Sequence, residues 1–426
     1  MRYVCKMLTL AILILTCSVV WGQSTTSSLI GTITDSTGAL VPGASVTVTN
    51  KSTNVAYPAI VDAQGVYRVS QLPPGMYSVQ ITASGFQTYN IQEITLQVDQ
   101  QARQDISLSV GQSTQTVEVS GSAPLLDTVA SNVGQVIEPR QIQDLPLNGR
   151  DYLQLATLAA GVSPIAPGVS SPASTWTGTS VVSISVAGLR EDDVSYLYDG
   201  IETRNGWYGA AGLLPSIDNI QEFKVEQAGS SAAFGDAGGF INVVTKSGTN
   251  QTHGTIYEFL RNNDLDARAY FDPLTGPPAF HQNQFGASLG GPILKNKMFY
   301  FLNYEGFRQT QPNDTITTVP TAAELSGDFS ALPQQLVNPY TGAPFAGNII
   351  PTTSFSPVGV KLLSYFPAPN GTYSGGSNYL EVADTTDNWD QGSGRIDYVV
   401  STKDTVFGRY TQQAQTTVLA ARGASS

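Results

Sequence analysis

The sequence predicts a mainly β protein with three parts: an N-terminal β-sandwich, an α+β domain, and an incomplete antiparallel transmembrane β-barrel. Three observations support this fold class. Short alternating runs of β-branched and polar residues recur at close spacing, with turn residues between them. Charged residues make up 13% of the chain, whereas soluble domains average about 25%. The C-terminal half is rich in tyrosine and phenylalanine, and these aromatics fall in alternating segments.

The bulk composition excludes several classes of protein. A chain of 426 residues has room for about two to four domains. Its net charge of −12 argues against nucleic acid as a partner. After the N-terminus there is no apolar run of about 18 residues, so no transmembrane helix is expected. The strands of a transmembrane barrel only alternate, so they remain compatible with this composition.

Residues 1–22 have the pattern of a secretory signal peptide. Two basic residues open the segment, an apolar stretch occupies Met7–Val20, and Gly22 is a small residue at the expected cleavage point. Both cysteines of the chain lie inside this segment. We therefore expect a mature protein that begins near Gln23 and has neither disulfides nor thiol chemistry.

Residues 27–111 have the pattern of an all-β module of about seven strands, a small transthyretin-like or Ig-like β-sandwich. The run Ala44–Thr49 alternates, and turns such as Asp62–Gly65 and Pro73–Gly75 separate neighbouring runs. The segments GTITDSTGALVPGASVTVTN and DAQGVYRVSQLPPGMYSVQITASGF resemble the carboxypeptidase-regulatory-like domain. The resemblance implies a noncatalytic spacer or docking domain, and leaves open whether it binds carbohydrate.

The linker of residues 112–122 contains a short alternating strand made of four residues, Thr116, Val117, Glu118 and Val119. This strand resembles the TonB box of TonB-dependent transporters, to which an energising partner protein adds a strand of its own. The same four residues also fit the last strand of the sandwich or the first strand of the next domain. The sequence leaves these interpretations open.

Residues 123–248 mix short helices and strands, which predicts an α+β domain. Helices are expected at Glu138–Leu145 and Tyr152–Leu158, and a third is expected to begin at Ile217–Phe223 behind a Pro-Ser pair. Strands are expected at Val181–Val186 and Val194–Tyr198.

Three segments of this domain carry a second resemblance. They are LPLNGRDYLQLATLAAGV, SVAGLREDDVSYLYDGIETRN and LLPSIDNIQEFKVEQAGSSAAFGDAGGFINVVTKSG, in that order. They resemble successive blocks of the plug of TonB-dependent outer-membrane transporters, and of the Oar-like group in particular, whose members carry an extra N-terminal carboxypeptidase-regulatory-like domain. The resemblance implies that residues 123–248 are a plug domain.

The junction between plug and barrel is expected at Gly238, Gly239, Asn242 and Lys246. The glycine pair permits a sharp bend or a close approach of two backbones. The β-branched residues that follow favour a strand. GGFINVVTKSGTN followed by HGTIYEFLRN resembles the end of the plug and the first barrel strand of the same family.

Residues 249–426 are expected to contribute barrel strands. Apolar and polar or small residues alternate in Gln284–Gly290, and Met298–Phe307 is dense in aromatics, as a membrane-interface girdle would be. The stretch 311–379 is expected to be a long extracellular loop. Members of the family close barrels of about 22 strands, so the resemblance implies that this chain holds only about six to eight of them and is a truncated piece.

The sequence predicts no catalytic, cofactor or metal site. His253 and His281 are far apart and have no cysteine partner, so a zinc site is not expected. The segment Gly286–Gly290 fits the GxSxG nucleophile elbow. That motif requires a strand, a tight turn and a helix, with a histidine later in the chain, and no histidine follows Ser288.

The function predicted from the sequence is that of a TonB-dependent outer-membrane receptor. Its expected surroundings are outer-membrane lipid, a periplasm that holds the sandwich, and a TonB-type energising protein of the inner membrane. The solute is open among oligosaccharides, siderophores and peptides. The alternative is a secreted or surface carbohydrate-binding or adhesive β protein without transport activity.

Overall fold

The computed structural model divides the protein into two compact units. The first contains the described residues up to 258, with 284–306 and 389–414, and the second contains 259–283, 307–388 and the described residues from 415 on. Among the described residues, no helix is long and apolar enough to cross a bilayer. The signal peptide predicted for residues 1–22 lies outside the described residues. These are 25–111, 116–119, 133–164, 184–190, 193–204, 211–228, 238–268, 270, 277–402 and 404–418.

The first unit begins with a sandwich of two sheets. Its strands are β1 (Ser27–Asp35), β2 (Ser45–Asn50), β3 (Ala56–Ile60), β4 (Val66–Leu72), β5 (Gly75–Thr82), β6 (Thr88–Leu96), β7 (Gln101–Arg103), β8 (Ile106–Leu108) and β9 (Thr116–Val119). One sheet has the order β4–β1–β7, with β8 also beside β1, and the other has the order β3–β2–β5–β6–β9.

The core of the sandwich lies between its two sheets. Alternate residues of β2 point into this core. Val46 and Val48 are fully buried, whereas Ser45, at the start of the strand, is exposed. Leu29 and Tyr67 of one sheet and Tyr77 of the other have no exposed surface and join the same cluster. Burial of this apolar surface is the main driving force for the module.

The middle domain follows, with helices α1 (Pro139–Asp144) and α2 (Leu153–Ala156). Its strands are β10 (Val133–Ile137), β11 (Val162–Pro164), β12 (Ile184–Val186), β13 (Val194–Tyr198), β14 (Ile201–Glu202), β15 (Ile220–Ala228) and β16 (Gly239–Thr245). Five of them form the middle sheet, in the order β10–β15–β16–β13–β14, and β11 pairs with β12. Strand β13 runs parallel to β16, and β15 runs antiparallel to both β10 and β16.

The helix predicted to begin at Ile217–Phe223 is wrong. Only Ile217–Asn219 forms a single 3-10 turn, and β15 starts at Ile220. Phe223 and Val225 are buried in the domain core. The charged residues between and beside them, Glu222, Lys224 and Glu226, belong to the opposite face of the strand by its period of two. Pairing on both edges of β15 therefore overrides the local helical signal.

The C-terminal sheet is made of five long strands. They are β17 (His253–Asn262), β18 (His281–Leu294), β19 (Met298–Thr317), β20 (Tyr379–Val399) and β21 (Thr405–Val418). Each lies beside the strand that precedes it in the chain. The loop predicted for 311–379 is shorter than expected, because β19 continues through Thr317 and contains the β-branched Ile316, which favours extended backbone.

Within the second unit, residues 318–378 fold locally. They include α3 (Ala322–Leu325), α4 (Pro357–Leu363) and the 3-10 turns Ala346–Asn348, Thr352–Ser354 and Ser374–Gly376. The side chain of Asn348 holds one turn together, because its Nδ2 donates to the carbonyl of Gln334 (2.9 Å) and its Oδ1 accepts from the amide of Leu336 (2.8 Å).

Candidate functional site

In the first unit, the C-terminal sheet buries polar side chains on one face, beside Phe299 and Phe301, and exposes apolar side chains on the other face. This is the reverse of a soluble sheet, and it is the pattern of strands with lipid on one side and a polar interior on the other. The buried polar residues are Gln284 (2% exposed), Asn303 (5%), Glu305 (2%), Gln391 (2%) and Asp397 (7%). The exposed apolar residues include Ile256 (90%), Leu289 (44%), Leu302 (50%), Ile396 (47%) and Val406 (60%).

Asp199 is the centre of the candidate site. It occupies the turn after β13 with a φ of 51°, and its side chain is 1% exposed. Oδ1 accepts from the backbone amide of Thr245 at 2.9 Å, and Oδ2 accepts from the hydroxyl of the same residue at 2.8 Å. The turn after β13 and the end of β16 are therefore joined through one buried carboxylate.

Two arginines of the C-terminal sheet converge on this carboxylate. Arg395 on β20 places Nη1 3.3 Å from Oδ1 of Asp199, and Arg409 on β21 places Nε 2.8 Å from Oδ2. Arg395 also donates to Asp397 through Nε (3.0 Å) and Nη2 (2.8 Å). Asp397 accepts in turn from Ser247 Oγ at 2.7 Å. Two arginines and two aspartates are thus buried together, and their formal charges cancel.

Aromatic rings complete the cluster. The guanidinium of Arg409 lies 3.5 Å from the ring centroid of Tyr198, and that of Arg395 lies 4.4 Å from the ring of Phe407. The Tyr198 hydroxyl accepts from Asn219 Nδ2 at 2.6 Å. We call Tyr198, Asp199, Thr245, Arg395, Asp397 and Arg409 the junction cluster.

A second set of contacts lies at the loops of the middle domain. Arg150 forms an ion pair with Asp218 and lies 4.4 Å from the ring centroid of Tyr257 on β17. Gln391 accepts from the amide of Ser216 (3.0 Å) and donates to the carbonyl of Leu214 (2.8 Å). Polar side chains of the C-terminal sheet therefore bind the middle domain at several separate points.

The junction residues predicted from the sequence lie on or beside β16. Gly239 opens the strand, and a Cβ there would lie 2.7 Å from Val186. Asn242, in the middle of the strand, is 3% exposed, and no described residue hydrogen-bonds its carboxamide. Lys246 donates its amide to the carbonyl of Asn219 (2.9 Å), and burial lowers the pKa of its side chain. Gly238 donates its amide to Asp193 at 3.1 Å.

Sequence reasoning missed the central residues of the junction cluster. In the sequence, Asp199 has the context of an ordinary turn residue before Gly200, and the two arginines lie in segments that have the pattern of a hairpin. One signal was present: Arg395 and Asp397 share the polar side of an alternating strand. A buried arginine needs an acidic partner, but the sequence does not show that Asp199 is one of them.

The sandwich contacts the middle domain through the turn after β6. Glu222 on β15 accepts a hydrogen bond from the amide of Val98. Lys224 Nζ lies 2.8 Å from Glu226 and 3.7 Å from Asp99. Burial raises the pKa of Asp99 to about 7, although Lys224 opposes this shift, and burial also raises the pKa of Glu222 to about 7.

The four residues that resemble a TonB box form β9. This strand runs parallel to the first part of β6 at the end of a sandwich sheet, with Val117 registered opposite Tyr89. These residues therefore belong to the sandwich sheet.

The GxSxG segment is part of a continuous strand. Gly286–Gly290 lies inside β18, and Ser288 Oγ lies 2.8 Å from the hydroxyl of Thr255. The strand continues past the motif, so the turn and helix of a nucleophile elbow are not formed. His253 lies 3.0 Å from the carbonyl of Gln251. In the part of the chain that the structure describes, no cluster of His, Cys, Asp and Glu has the arrangement of a metal site.

Comparison with known proteins agrees with these features. Residues 244–425 match the family described as outer membrane beta barrel domain, and residues 28–109 match the carboxypeptidase regulatory-like domain. The TonB-dependent transporter Oar of Myxococcus xanthus is 29% identical over 295 residues, which cover 65% of this chain and 26% of that protein. Over these residues the chain is similar to the Oar-like TonB-dependent transporters. It is an outer-membrane protein of the Gram-negative type.

A second relative of this Oar-like chain is the "Probable TonB-dependent siderophore receptor PirA" of Acinetobacter baumannii, 28% identical over 31% of the chain and 18% of PirA. The chain thus spans about a quarter of the first relative's length and less than a fifth of the second's. The crystal structure of PirA aligns with this chain at 16% identity and a TM-score of 0.39, and the alignment covers 67% of this chain and 32% of the PirA chain. The structure of the ferric enterobactin receptor PfeA of Pseudomonas aeruginosa aligns at 15% identity and a TM-score of 0.38, and the alignment covers 68% of this chain and 34% of the PfeA chain.

Proposed function

We propose that this chain supplies the periplasmic sandwich, the plug and barrel strands of a TonB-dependent outer-membrane receptor for energised uptake of a solute. The observation that carries the proposal is the junction cluster. It joins a domain with its own apolar core to polar side chains on the buried face of a sheet whose other face carries exposed apolar side chains. A plug inside a barrel wall requires this combination, because the barrel interior is polar.

In this proposal the middle domain is the plug and the junction cluster is its attachment. Apart from the chain itself, which runs from β16 into β17, ion pairs and hydrogen bonds form this attachment, so a mechanical pull can break these contacts and they can form again. The pull enters through Thr116–Val119, to which a TonB-type protein of the inner membrane adds a strand. Energy comes from that partner.

The class of solute is proposed only broadly. PirA is named as a siderophore receptor, which favours a siderophore. An oligosaccharide or a peptide fits the same architecture.

Substitution of Val117 by proline tests the proposed function. Proline removes one backbone donor from the segment and fixes φ, so strand addition by a partner is weakened. We expect less binding of the purified periplasmic domain of a TonB-type protein from the same cell. The matched control is Ile60→Pro, because Ile60 is an exposed residue on β3, the other edge of the same sheet. Equal binding by both variants and the native chain would contradict the proposal.

A further inference from the structure

A cavity of about 600 Å³ lies within the first unit, beside the junction cluster. The sandwich supplies one wall, which includes Tyr57 on β3 and Arg68 on β4. The other wall comes from the end of β16 and from β20 and β21, and it includes Arg395 and Asp397 of the junction cluster. Sites for small molecules have volumes of about 300–1,000 Å³, so the cavity has the size of a ligand site.

The alternation of β4 places polar groups on the sandwich wall. Tyr67 and Val69 enter the core of the sandwich, so Arg68 and Ser70 point away from it. Strand β4 is the last strand of its sheet and pairs with β1 alone. It therefore presents a guanidinium and a hydroxyl group to the cavity without disturbing the apolar core.

The charges that line the cavity leave one cation uncompensated. Four charged residues line it: Arg68, Asp199, Arg395 and Asp397. Arg395 pairs with both aspartates, and Asp199 also pairs with Arg409. Among the residues that the structure describes, none forms an ion pair with Arg68. Since a guanidinium binds a carboxylate through two parallel hydrogen bonds, this wall favours a ligand that carries a carboxylate.

The remaining polar lining favours a ligand with many hydroxyl groups. Burial, followed by the charge of Asp397, raises the pKa of Tyr57 to about 12, so its hydroxyl is protonated at neutral pH and can donate. No described residue hydrogen-bonds this hydroxyl. Gln71 and Thr405 add an amide and a second hydroxyl, and Phe407, which is 42% exposed, adds an aromatic ring. A purely apolar ligand would leave these polar groups desolvated and unpaired.

From this lining we propose that the cavity binds a polyhydroxylated organic carboxylate, with the carboxylate on Arg68 and hydroxyl groups beside Tyr57. The inference goes beyond the proposed function and does not depend on it. Such a ligand contacts the sandwich and the junction cluster at once. It therefore stabilises their association by mass action, because it binds fully only when both walls are present.

Digalacturonate and its dimethyl ester form a matched pair of probes. Both have the same rings and hydroxyl groups, but only digalacturonate is charged. Titration calorimetry on the purified full chain measures the affinity for each. We expect digalacturonate to bind, and the ester to bind roughly tenfold more weakly, because it loses the charge-assisted hydrogen bonds to Arg68.

Two arginine variants locate the charge that the probe contacts. Arg68→Gln should weaken binding of digalacturonate roughly tenfold and leave binding of the ester unchanged. Arg103→Gln is the matched control, because Arg68 and Arg103 are registered opposite the same residue, Ile30, on either side of β1. Arg103 does not line the cavity and forms an exposed pair with Asp105, so this variant should bind both probes as the native chain does.

A third variant tests whether the probe enters the cavity. Tyr57→Phe keeps the ring, which packs edge-on against Tyr77 with centroids 6.4 Å apart, and removes only the hydroxyl. It should weaken binding of both probes by roughly fivefold, because each loses the same neutral hydrogen bond.

Four results would overturn the inference. Absence of digalacturonate binding by the native chain would rule out this class of ligand. Equal affinity for the ester would show that no charge is recognised. An equal loss in both arginine variants would indicate general attraction to a positive surface. Unchanged binding in Tyr57→Phe would place the probe outside the cavity. None of these results bears on strand addition at Thr116–Val119, so the proposed function is tested separately.

Discussion

Nε of Arg409 lies 2.8 Å from Oδ2 of Asp199, and this ion pair joins the last strand of the C-terminal sheet to a turn of the middle domain. The carboxylate is 1% exposed and the guanidinium 13%. Each of these buried charges is stabilised by the other, because water cannot solvate either one if its partner is removed.

Asp199→Asn should therefore destabilise the junction strongly. The substitution removes the negative charge that faces the buried Arg409 and Arg395, so we expect the free energy of opening to fall by about 3 kcal/mol. Hydrogen exchange of the β16 amides measures the free energy of opening. The control is Glu93→Gln, which breaks the exposed 2.8 Å pair with Lys51 and should cost less than about 1 kcal/mol. Equal losses in the two variants would show that the junction cluster does not hold the middle sheet.

The two glycines at the start of β16 should respond differently to alanine. In Gly239→Ala the new Cβ meets Cβ and Cγ1 of the buried, β-branched Val186 at 2.7 Å, so we expect a loss of about 1–3 kcal/mol. In Gly238→Ala the nearest atom is Cδ1 of Leu189, the end of a flexible and 36% exposed side chain, which can move. Thermal unfolding of the two variants makes the comparison, and a larger loss for Gly238→Ala would contradict it.

Removal of the Asn242 carboxamide should stabilise the middle sheet. This group is buried, and no described residue hydrogen-bonds it, so Asn242→Leu removes a desolvated polar group at similar volume. The expected gain is about 1 kcal/mol in the free energy of unfolding. Asn219→Leu should instead lower the stability, because Asn219 donates a hydrogen bond to the Tyr198 hydroxyl at 2.6 Å and the substitution removes it. A loss of stability in Asn242→Leu would indicate a partner for its carboxamide.

The contact between sandwich and middle domain should weaken as the pH rises. Asp99 and Glu222 have pKa values of about 7 in the docked state, raised by burial from ordinary values of 3.8 and 4.5. A carboxyl with a raised pKa in the docked state favours docking most at pH values below its ordinary pKa. That advantage is lost as the pH rises through about 7. The charged groups that face this pair are Lys224, Glu226 and Glu138.

Hydrogen exchange of the Val98 amide at pH 5.5 and pH 8, corrected for intrinsic rates, measures this effect. Protection should be greater at the lower pH. Glu222→Gln keeps an acceptor for Val98 but does not titrate, so it should flatten the pH dependence, while the exposed Glu93→Gln should leave it unchanged. Greater protection of the Val98 amide at pH 8 than at pH 5.5 would contradict this prediction.

Local patterns predicted some elements well. Strand β13 has the bounds expected from its apolar run, and α1 lies within the predicted span Glu138–Leu145. The interpretation failed at Ile220–Ala228, where apolar and charged residues alternate but a Pro-Ser pair resembles the start of a helix. There the outcome depends on β10 and β16, which pair on either side of that segment.

The junction cluster depends even more on distant parts of the chain. Asp199 and Arg409 lie in segments that only tertiary folding brings together, and no local pattern encodes their contact. Composition could suggest that buried arginines need acidic partners, but it could not say which aspartate. The position of β9 posed a similar problem, because an alternating tetrapeptide fits any free sheet edge.

The position of β16 has a consequence for synthesis. It is the last strand of the middle sheet in chain order, yet it lies between β15 and β13. A nascent chain that ends before Gly239 therefore has two unpaired strand edges where the centre of the sheet should be. Such edges promote aggregation until they are covered. The middle sheet therefore stays open, and most prone to aggregation, until β16 is in place between β15 and β13.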